Sequence, residues 1–119
     1  MFIDTFLKYL RFERNYSEKT IVSYRIDLEE FEDYLKKVDA EKSLVTADAD
    51  LVRSWMVYLM EKGRSVATVN RKLSSLRSFY RFLLRRRIVD LDPMLKVVGP
   101  KKQKTLPSFL SGFLPEKVI

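Results

Sequence analysis

The feature that most limits the fold is an apolar repeat between Ser65 and Arg87. Apolar side chains recur there at helical intervals, at Val69, Leu73, Leu76, Tyr80, Leu83 and Leu84. At about 100° per residue, this spacing gathers them on one side of an α-helix. The stretch therefore predicts a long amphipathic helix whose apolar side is buried.

The opposite side of this helix is short and basic. It collects Arg71, Ser74, Ser75, Ser78, Arg81 and Arg85, and no acid occurs from Ser65 to Val89. Small serines between arginines allow close approach to a polyanion, and a guanidinium can bind phosphate or donate twice to guanine. We therefore assign DNA contacts to Arg71, Ser74, Ser75, Arg77 on the flank, Ser78 and Arg81.

The same residues have an alternative role inside the protein. The arginines could pair with acids such as Asp27 or Glu30 on a neighbouring helix, and each serine could simply fill a surface position. Composition favours DNA contact for Arg71 and leaves the two roles of Arg81 evenly balanced. Lys72 is expected to be a solvated flank residue.

A second candidate site lies at the start of an earlier helix. Apolar spacing indicates a first helix within residues 1–13 and a second that follows the N-cap Ser17 and ends near Lys37. A helix N-terminus offers free amide donors and a positive dipole to a phosphate. We therefore expect DNA contacts there from Ser17, Lys19, Thr20 and Arg25. The acidic second half of that helix is not expected to face a polyanion.

A third helix and short connections complete the predicted fold. Residues 38–47 show no period and are expected to form a loop, after which Thr46 or Asp48 caps a helix that ends at Gly63. Trp55 lies within its apolar repeat and is expected in the core. A connection of only a few residues forces the third and fourth helices to pack closely. The sequence predicts an all-α protein, an orthogonal bundle of four main helices.

The end of the sequence has a different character. Residues 1–98 are expected to form the helical domain, with several apolar residues after the fourth helix packing back onto it: Leu91, Met94, Leu95, Val97 and Val98. Residues 99–107 indicate a basic interdomain linker in which Lys101 and Lys102 follow the DNA backbone. Residues 108–119 are expected to be the truncated start of a missing catalytic domain.

Composition narrows the chemistry further. The 119 residues include no cysteine and no histidine, which excludes disulfides, thiolate or imidazole metal sites and an imidazole base. A formal net charge of +7 favours a polyanionic partner, with nucleic acid first and an anionic membrane surface second. We expect no cofactor, no metal, no membrane anchor and a cytoplasmic location.

Three stretches carry a resemblance to a known family. They read FLKYLRFERNYSEKTIVSYRIDLEEFEDYL, LVRSWMVYLMEKGRSVATVNRKLSSLRSFYRFLLRR and DPMLKVVGPKKQKTLPSFL. In this order they resemble the N-terminal core-binding, or SAM-like, domain of the tyrosine recombinase (phage integrase) family, close to the Xer-type enzymes. The resemblance implies one half of a C-shaped clamp around duplex DNA, with the second and fourth helices against a recombination half-site.

The resemblance also has implications for partners and catalysis. It implies that the full-length protein assembles with copies of itself or a paralogue in a synaptic tetramer. The family cuts DNA with a tyrosine, arginines, a lysine and a His-x-x-Arg motif, all in a C-terminal domain. We therefore expect this chain to bind DNA without cutting it.

Two other functions remain open from the sequence. The apolar stripes and the basic face also suit a helical protein-interaction module with an acidic partner. The tight turn between the third and fourth helices suits a stand-alone helix-turn-helix regulator.

Overall fold

Four helices make up the computed structural model, which describes residues 2–100. They are α1 (Phe2–Phe12), α2 (Glu18–Val38), α3 (Ala49–Glu61) and α4 (Val66–Arg85). That part of the chain contains no strand, so the predicted all-α fold with four main helices is confirmed. None of the helices combines the length and apolar character needed to cross a bilayer. Lys101, Lys102 and the segment 108–119 lie outside the described residues.

Side-chain caps fix the starts of three helices. The Oγ atoms of Ser17 and Ser65 accept from backbone amides three residues later, at 3.3 and 3.1 Å. Asp48, rather than Thr46, caps α3 through a 2.9 Å bond from the Leu51 amide, while Thr46 accepts from the Ser43 amide in the preceding turn. Such caps satisfy amide groups that a helix leaves without internal partners.

The core forms around α4, which contacts each of the other helices. Most of its predicted apolar stripe is buried, as is Trp55, whose ring centroid lies 4.9 Å from that of Phe31. The buried hydroxyl of Tyr80 donates to the Leu44 carbonyl at 2.6 Å. Leu84 departs from the prediction, because it lies at the edge of the stripe and remains 38% exposed.

The segment after α4 packs back through only part of its apolar set. Met94 and Val97 are buried because a turn, closed by a 3.2 Å bond from the Val97 amide to the Met94 carbonyl, brings both to one side. The expectation that the other apolar residues of this segment also pack back is wrong. Three of them remain exposed: Leu91, Leu95 and Val98.

A buried carboxylate joins α2 to α4. Asp27 is fully buried, and its Oδ1 accepts from Lys72 Nζ at 2.9 Å and from Arg71 Nη2 at 2.9 Å. Its Oδ2 accepts from Ser75 Oγ at 2.7 Å. Lys72 Nζ also lies 2.7 Å from Glu30 Oε1. We call Asp27, Arg71, Lys72 and Ser75 the Asp27 cluster.

Two expectations from the sequence are wrong at this cluster. Lys72 is not a solvated flank residue, since its side chain is only 2% exposed. Ser75 is buried rather than placed on the open face. Both differences have one physical cause, because α2 covers this side of α4 and a buried carboxylate needs cations and hydrogen-bond donors around it.

Replacing the buried lysine should test this arrangement. We expect Lys72→Met to lower the free energy of unfolding by about 3 kcal/mol, because it removes a partner of a buried charge. Urea denaturation followed by circular dichroism measures the change. The exposed Lys36 on α2 supplies the control, and Lys36→Met should stay within about 0.5 kcal/mol of the parent. Equal effects of the two substitutions would contradict the structural role of Lys72.

Candidate nucleic-acid interface

The open side of α4 carries a continuous polar stripe. Its members follow one another at alternating intervals of three and four residues: Arg71, Ser74, Ser78, Arg81 and Arg85. Ser78 is partly buried and the other four are exposed. We call these five residues the α4 stripe. Because α4 has no acid, the stripe is cationic along its length.

The start of α2 and the middle of α4 line one depression. Its volume is about 320 Å³, and its lining residues are Lys19, Thr20, Ser23, Tyr24, Arg71, Ser74 and Ser75. The structure therefore brings together two groups of residues that the sequence placed separately, at the start of the second helix and on the fourth. Among the residues that the structure describes, no acid lines this depression.

Arg71 is paired with an acid and still exposed to solvent. Its Nη2 donates to Asp27 at 2.9 Å, the ion pair that the sequence offered as the alternative to DNA contact, yet its side chain stays 54% exposed at the depression. A guanidinium has five N–H donors, so this bond leaves others for a ligand. The ion pair thus orients an arginine that can still bind an anion.

Three predicted residues are placed differently from Lys19 and Thr20. Ser17 is exposed beside the depression, but its Oγ accepts from the Thr20 amide at 3.3 Å and lies 3.0 Å from the Thr20 hydroxyl. Arg25 pairs with Asp4 at 3.5 Å and with Glu29 at 3.8 Å, and it lines another depression together with these acids. Ser75 lines the depression, but its hydroxyl donates to Asp27.

Arg77 lies away from the α4 stripe. Its Nη2 donates to the Val97 carbonyl at 3.4 Å, so the side chain follows the segment after α4. Asn70, on the same side of the helix, donates to the Pro100 carbonyl at 2.9 Å. Arg77 therefore holds the returning chain and does not line the depression.

Sequence reasoning missed Ser23 and Tyr24, which line the depression from α2. Ser23 lies one turn after Lys19 and Thr20, so helical spacing could have identified it. Tyr24 lies with its hydroxyl 3.5 Å from Ser78 Oγ, a contact between helices that no local pattern shows.

A group of arginines surrounds Tyr9 at the C-terminal end of the α4 stripe. Arg85 Nη1 donates to the Tyr9 hydroxyl at 3.5 Å, and Arg14 reaches it from the turn between α1 and α2. A hydrogen bond from Arg14 lowers the pKa of Tyr9. Desolvation by burial acts in the opposite direction, and a hydrogen bond from Arg85 lowers the pKa further. The same bond raises the pKa of Arg14.

Sequence reasoning also failed to identify Arg14 as a site residue. It lies in a turn where Asn15 adopts a positive φ of 55°, so no helical period assigns it to a face. Its position became clear only from the packing of α1 against α4.

The tyrosine offers a test of this electrostatic environment. We expect Tyr9 to ionise below the usual tyrosine pKa of about 10, because cationic neighbours stabilise the phenolate. Arg14→Ala should move the pKa of Tyr9 upward. Nuclear magnetic resonance of the tyrosine Cζ atoms against pH measures it, with Tyr9→Phe assigning the signal. An unchanged pKa in the Arg14 variant would show that the contact is absent in solution.

A metal site has no support among residues 2–100, where no three of His, Cys, Asp and Glu are grouped to hold an ion. The described surface instead offers hydroxyl, ammonium and guanidinium donors on α2 and α4. These donors suit an anionic ligand.

Comparisons with known proteins identify relatives over nearly the whole chain. The family described as "Phage integrase, N-terminal SAM-like domain" matches residues 3–87. Tyrosine recombinase XerC of Bacillus subtilis is 39% identical over 109 residues, which cover 92% of this chain and 36% of the relative. XerC of Halalkalibacterium halodurans is 42% identical over 108 residues, or 91% of this chain and 35% of that protein.

A second type of recombinase is similar to the same extent. Tyrosine recombinase XerD of Oceanobacillus iheyensis is 37% identical over 109 residues, 92% of this chain and 37% of its own length. The chain therefore spans little more than a third of the relatives that it matches. No solved structure matches it significantly.

Proposed function

Since the chain belongs to the phage integrase N-terminal SAM-like domain family, we propose that it binds duplex DNA as the non-catalytic clamp domain of a site-specific tyrosine recombinase. The observation that carries this proposal is the depression between α2 and α4. It brings Lys19, Thr20, Arg71 and Ser74 together without an acid in its lining.

The depression suits a phosphate of the DNA backbone. Lys19 supplies a point charge, the Arg71 guanidinium supplies directed donors, and the hydroxyls of Thr20 and Ser74 can each donate one hydrogen bond. The α2 dipole adds positive potential at its N-terminus. Glu18, the acid in that first turn, is paired with Arg11 at 2.7 Å, which reduces its repulsion of an anion.

The α4 stripe extends this contact along the DNA. Ser74 and Ser78 are small, so the helix can approach a groove closely. Arg71 precedes them and Arg81 follows them on the α4 stripe, and both arginines are long enough to reach phosphates or guanine edges. Direct DNA contacts are less well supported for three residues whose side chains already have partners. Ser75 donates to Asp27, Arg25 pairs with Asp4 and Glu29, and Arg77 donates to the Val97 carbonyl.

The remaining parts of the recombinase belong to the proposal as well. Residues 1–98 form the clamp domain, 99–107 the linker, with Lys101 and Lys102 along the backbone, and 108–119 the start of a catalytic domain. The full-length protein would assemble on recombination half-sites with copies of itself or a paralogue. Cutting of DNA would be the task of the catalytic domain.

A negative charge placed on the α4 stripe should weaken DNA binding more than the same charge placed elsewhere on the protein. We expect Ser74→Glu to weaken binding to duplex DNA at least tenfold, because a carboxylate would face phosphate. Fluorescence anisotropy at low salt measures the affinity. Ser54, an exposed serine in the middle of α3, gives a matched control, and Ser54→Glu should leave binding within about twofold.

Equal weakening by both serine variants would count against a DNA interface on α4. Absence of binding by the parent at low salt would overturn the proposed function altogether. Binding to heparin as tight as to DNA, unaffected by Ser74→Glu, would favour an interaction module for an acidic protein.

The salt dependence of DNA affinity should report the number of phosphate contacts. We expect Lys19→Ala to reduce the slope of log affinity against log salt concentration by about one unit, because each neutralised phosphate releases counterions. Lys36 lies at the other end of the same helix, and Lys36→Ala should leave the slope unchanged. Titrations at four salt concentrations measure both slopes; an unchanged slope for the Lys19 variant would remove Lys19 from the interface.

A further inference from the structure

The arginines of the described chain fall into two groups. Six contact a carboxylate within 4.0 Å: Arg11, Arg25, Arg53, Arg64, Arg71 and Arg86. Within residues 2–100, five others have no such partner: Arg14, Arg77, Arg81, Arg85 and Arg87. Three of these five, Arg14, Arg81 and Arg85, line one depression.

This depression is small and is lined in part by buried apolar side chains. Its volume is about 50 Å³, and its floor is formed by Phe6, Leu10 and Phe82. The rings of Phe6 and Phe82 pack with centroids 5.3 Å apart, and both residues are buried. This ring contact packs α1 against α4, next to Arg81 and Arg85 on α4 and Arg14 in the turn after α1.

Tyrosine side chains contact two of these arginines without neutralising them. Tyr9 accepts from Arg85 at 3.5 Å, and the Arg14 guanidinium lies 5.6 Å from the centroid of the Tyr16 ring. Ser78 also lines the depression. A neutral tyrosine orients a guanidinium but leaves its full charge in place.

The nearest acids in sequence are engaged elsewhere. Glu13 contacts Arg86 at 3.9 Å, and Glu18 contacts Arg11 at 2.7 Å. Within the described part of the chain, no acid lines the depression. Three like charges around a small space repel one another, and an anion bound between them would remove this repulsion.

We propose that Arg14, Arg81 and Arg85 form a second anion site, which binds a phosphate of the DNA backbone. This inference rests on the proposed function and adds a contact from the turn between α1 and α2 that lies outside the α2–α4 depression. The site would make the C-terminal end of α4 a DNA contact in its own right.

The two sites are well separated along α4. Arg81 follows Arg71 by ten residues and Arg85 follows it by fourteen, which corresponds to about 15 and 21 Å along a helix with a rise of about 1.5 Å per residue. The major groove is about 12 Å wide, with phosphates on both sides. The two sites therefore lie on α4 more than one groove width apart, so they contact different phosphates.

Salt titrations of DNA binding by the full 119-residue chain test the second site. We expect Arg14→Ala and Arg85→Ala each to weaken binding roughly three- to tenfold and to lower the log–log salt slope by about one unit. Arg87→Asn is the matched control, because Arg87 is at the same end of α4, has no carboxylate partner within the described chain and does not line the depression. Asn tolerates the positive φ of 60° at that position.

The control should keep the parent slope and affinity within about twofold. A conservative variant, Arg14→Lys, should keep the slope because it keeps the charge. Thermal unfolding of each variant shows whether the fold is retained. Parent-like slopes for Arg14→Ala and Arg85→Ala, or an equal loss in Arg87→Asn, would overturn the second site.

The test also separates this inference from the proposed function. If the two arginine variants bind like the parent while Ser74→Glu still weakens binding, the second site is wrong and the DNA clamp stands. If Ser74→Glu is also harmless, both proposals fail. Weakening by all three variants, with a silent Arg87→Asn, supports both.

Discussion

The buried carboxylate of Asp27 is the constraint on which the arrangement of the interface depends. A carboxylate without solvent must be surrounded by donors, and all three of its donors, Arg71, Lys72 and Ser75, come from consecutive turns of α4. This fixes the register of α2 against α4. Lys19 and Thr20 lie two turns before Asp27 on α2, so the same register brings them to Ser74 and forms the depression. The buried Asp27 cluster thereby positions the side chains that line the exposed depression.

The distribution of acids explains why the cationic surface is localised. Acids on α1 and α2 pair with arginines around the bundle, as in Arg11 with Glu18 and Arg25 with Asp4. Within residues 2–100, the α4 stripe has one carboxylate partner, Asp27, which Lys72 and Ser75 also contact. The net charge of +7 is therefore not spread evenly. A local excess of positive charge attracts a polyanion more strongly than the same charge spread over the surface.

Local patterns predicted the fold well because helices, caps and apolar stripes are determined by neighbours in sequence. They failed at Lys72 and Arg14, whose environments depend on other elements. Lys72 borders a basic face and would be solvated on an isolated helix; α2 covers it. A signal was nevertheless present on α2, since Asp27 lies next to Leu28 and four residues before Phe31, within the buried side. An acid at such a position requires a cation from another helix.

The two proposed phosphate sites have a consequence for sequence recognition. Phosphate contacts fix the orientation of a protein on DNA, whereas contacts with base edges distinguish sequences. With phosphates bound at the middle and at the C-terminal end of α4, the helix could neither rotate nor slide freely. The small side chains of Ser74 and Ser78 would let it lie close to the bases. At the first site, Arg71 is also restrained by Asp27. A restrained arginine loses less conformational entropy on binding, and the Asp27 cluster would thus favour a single reading geometry.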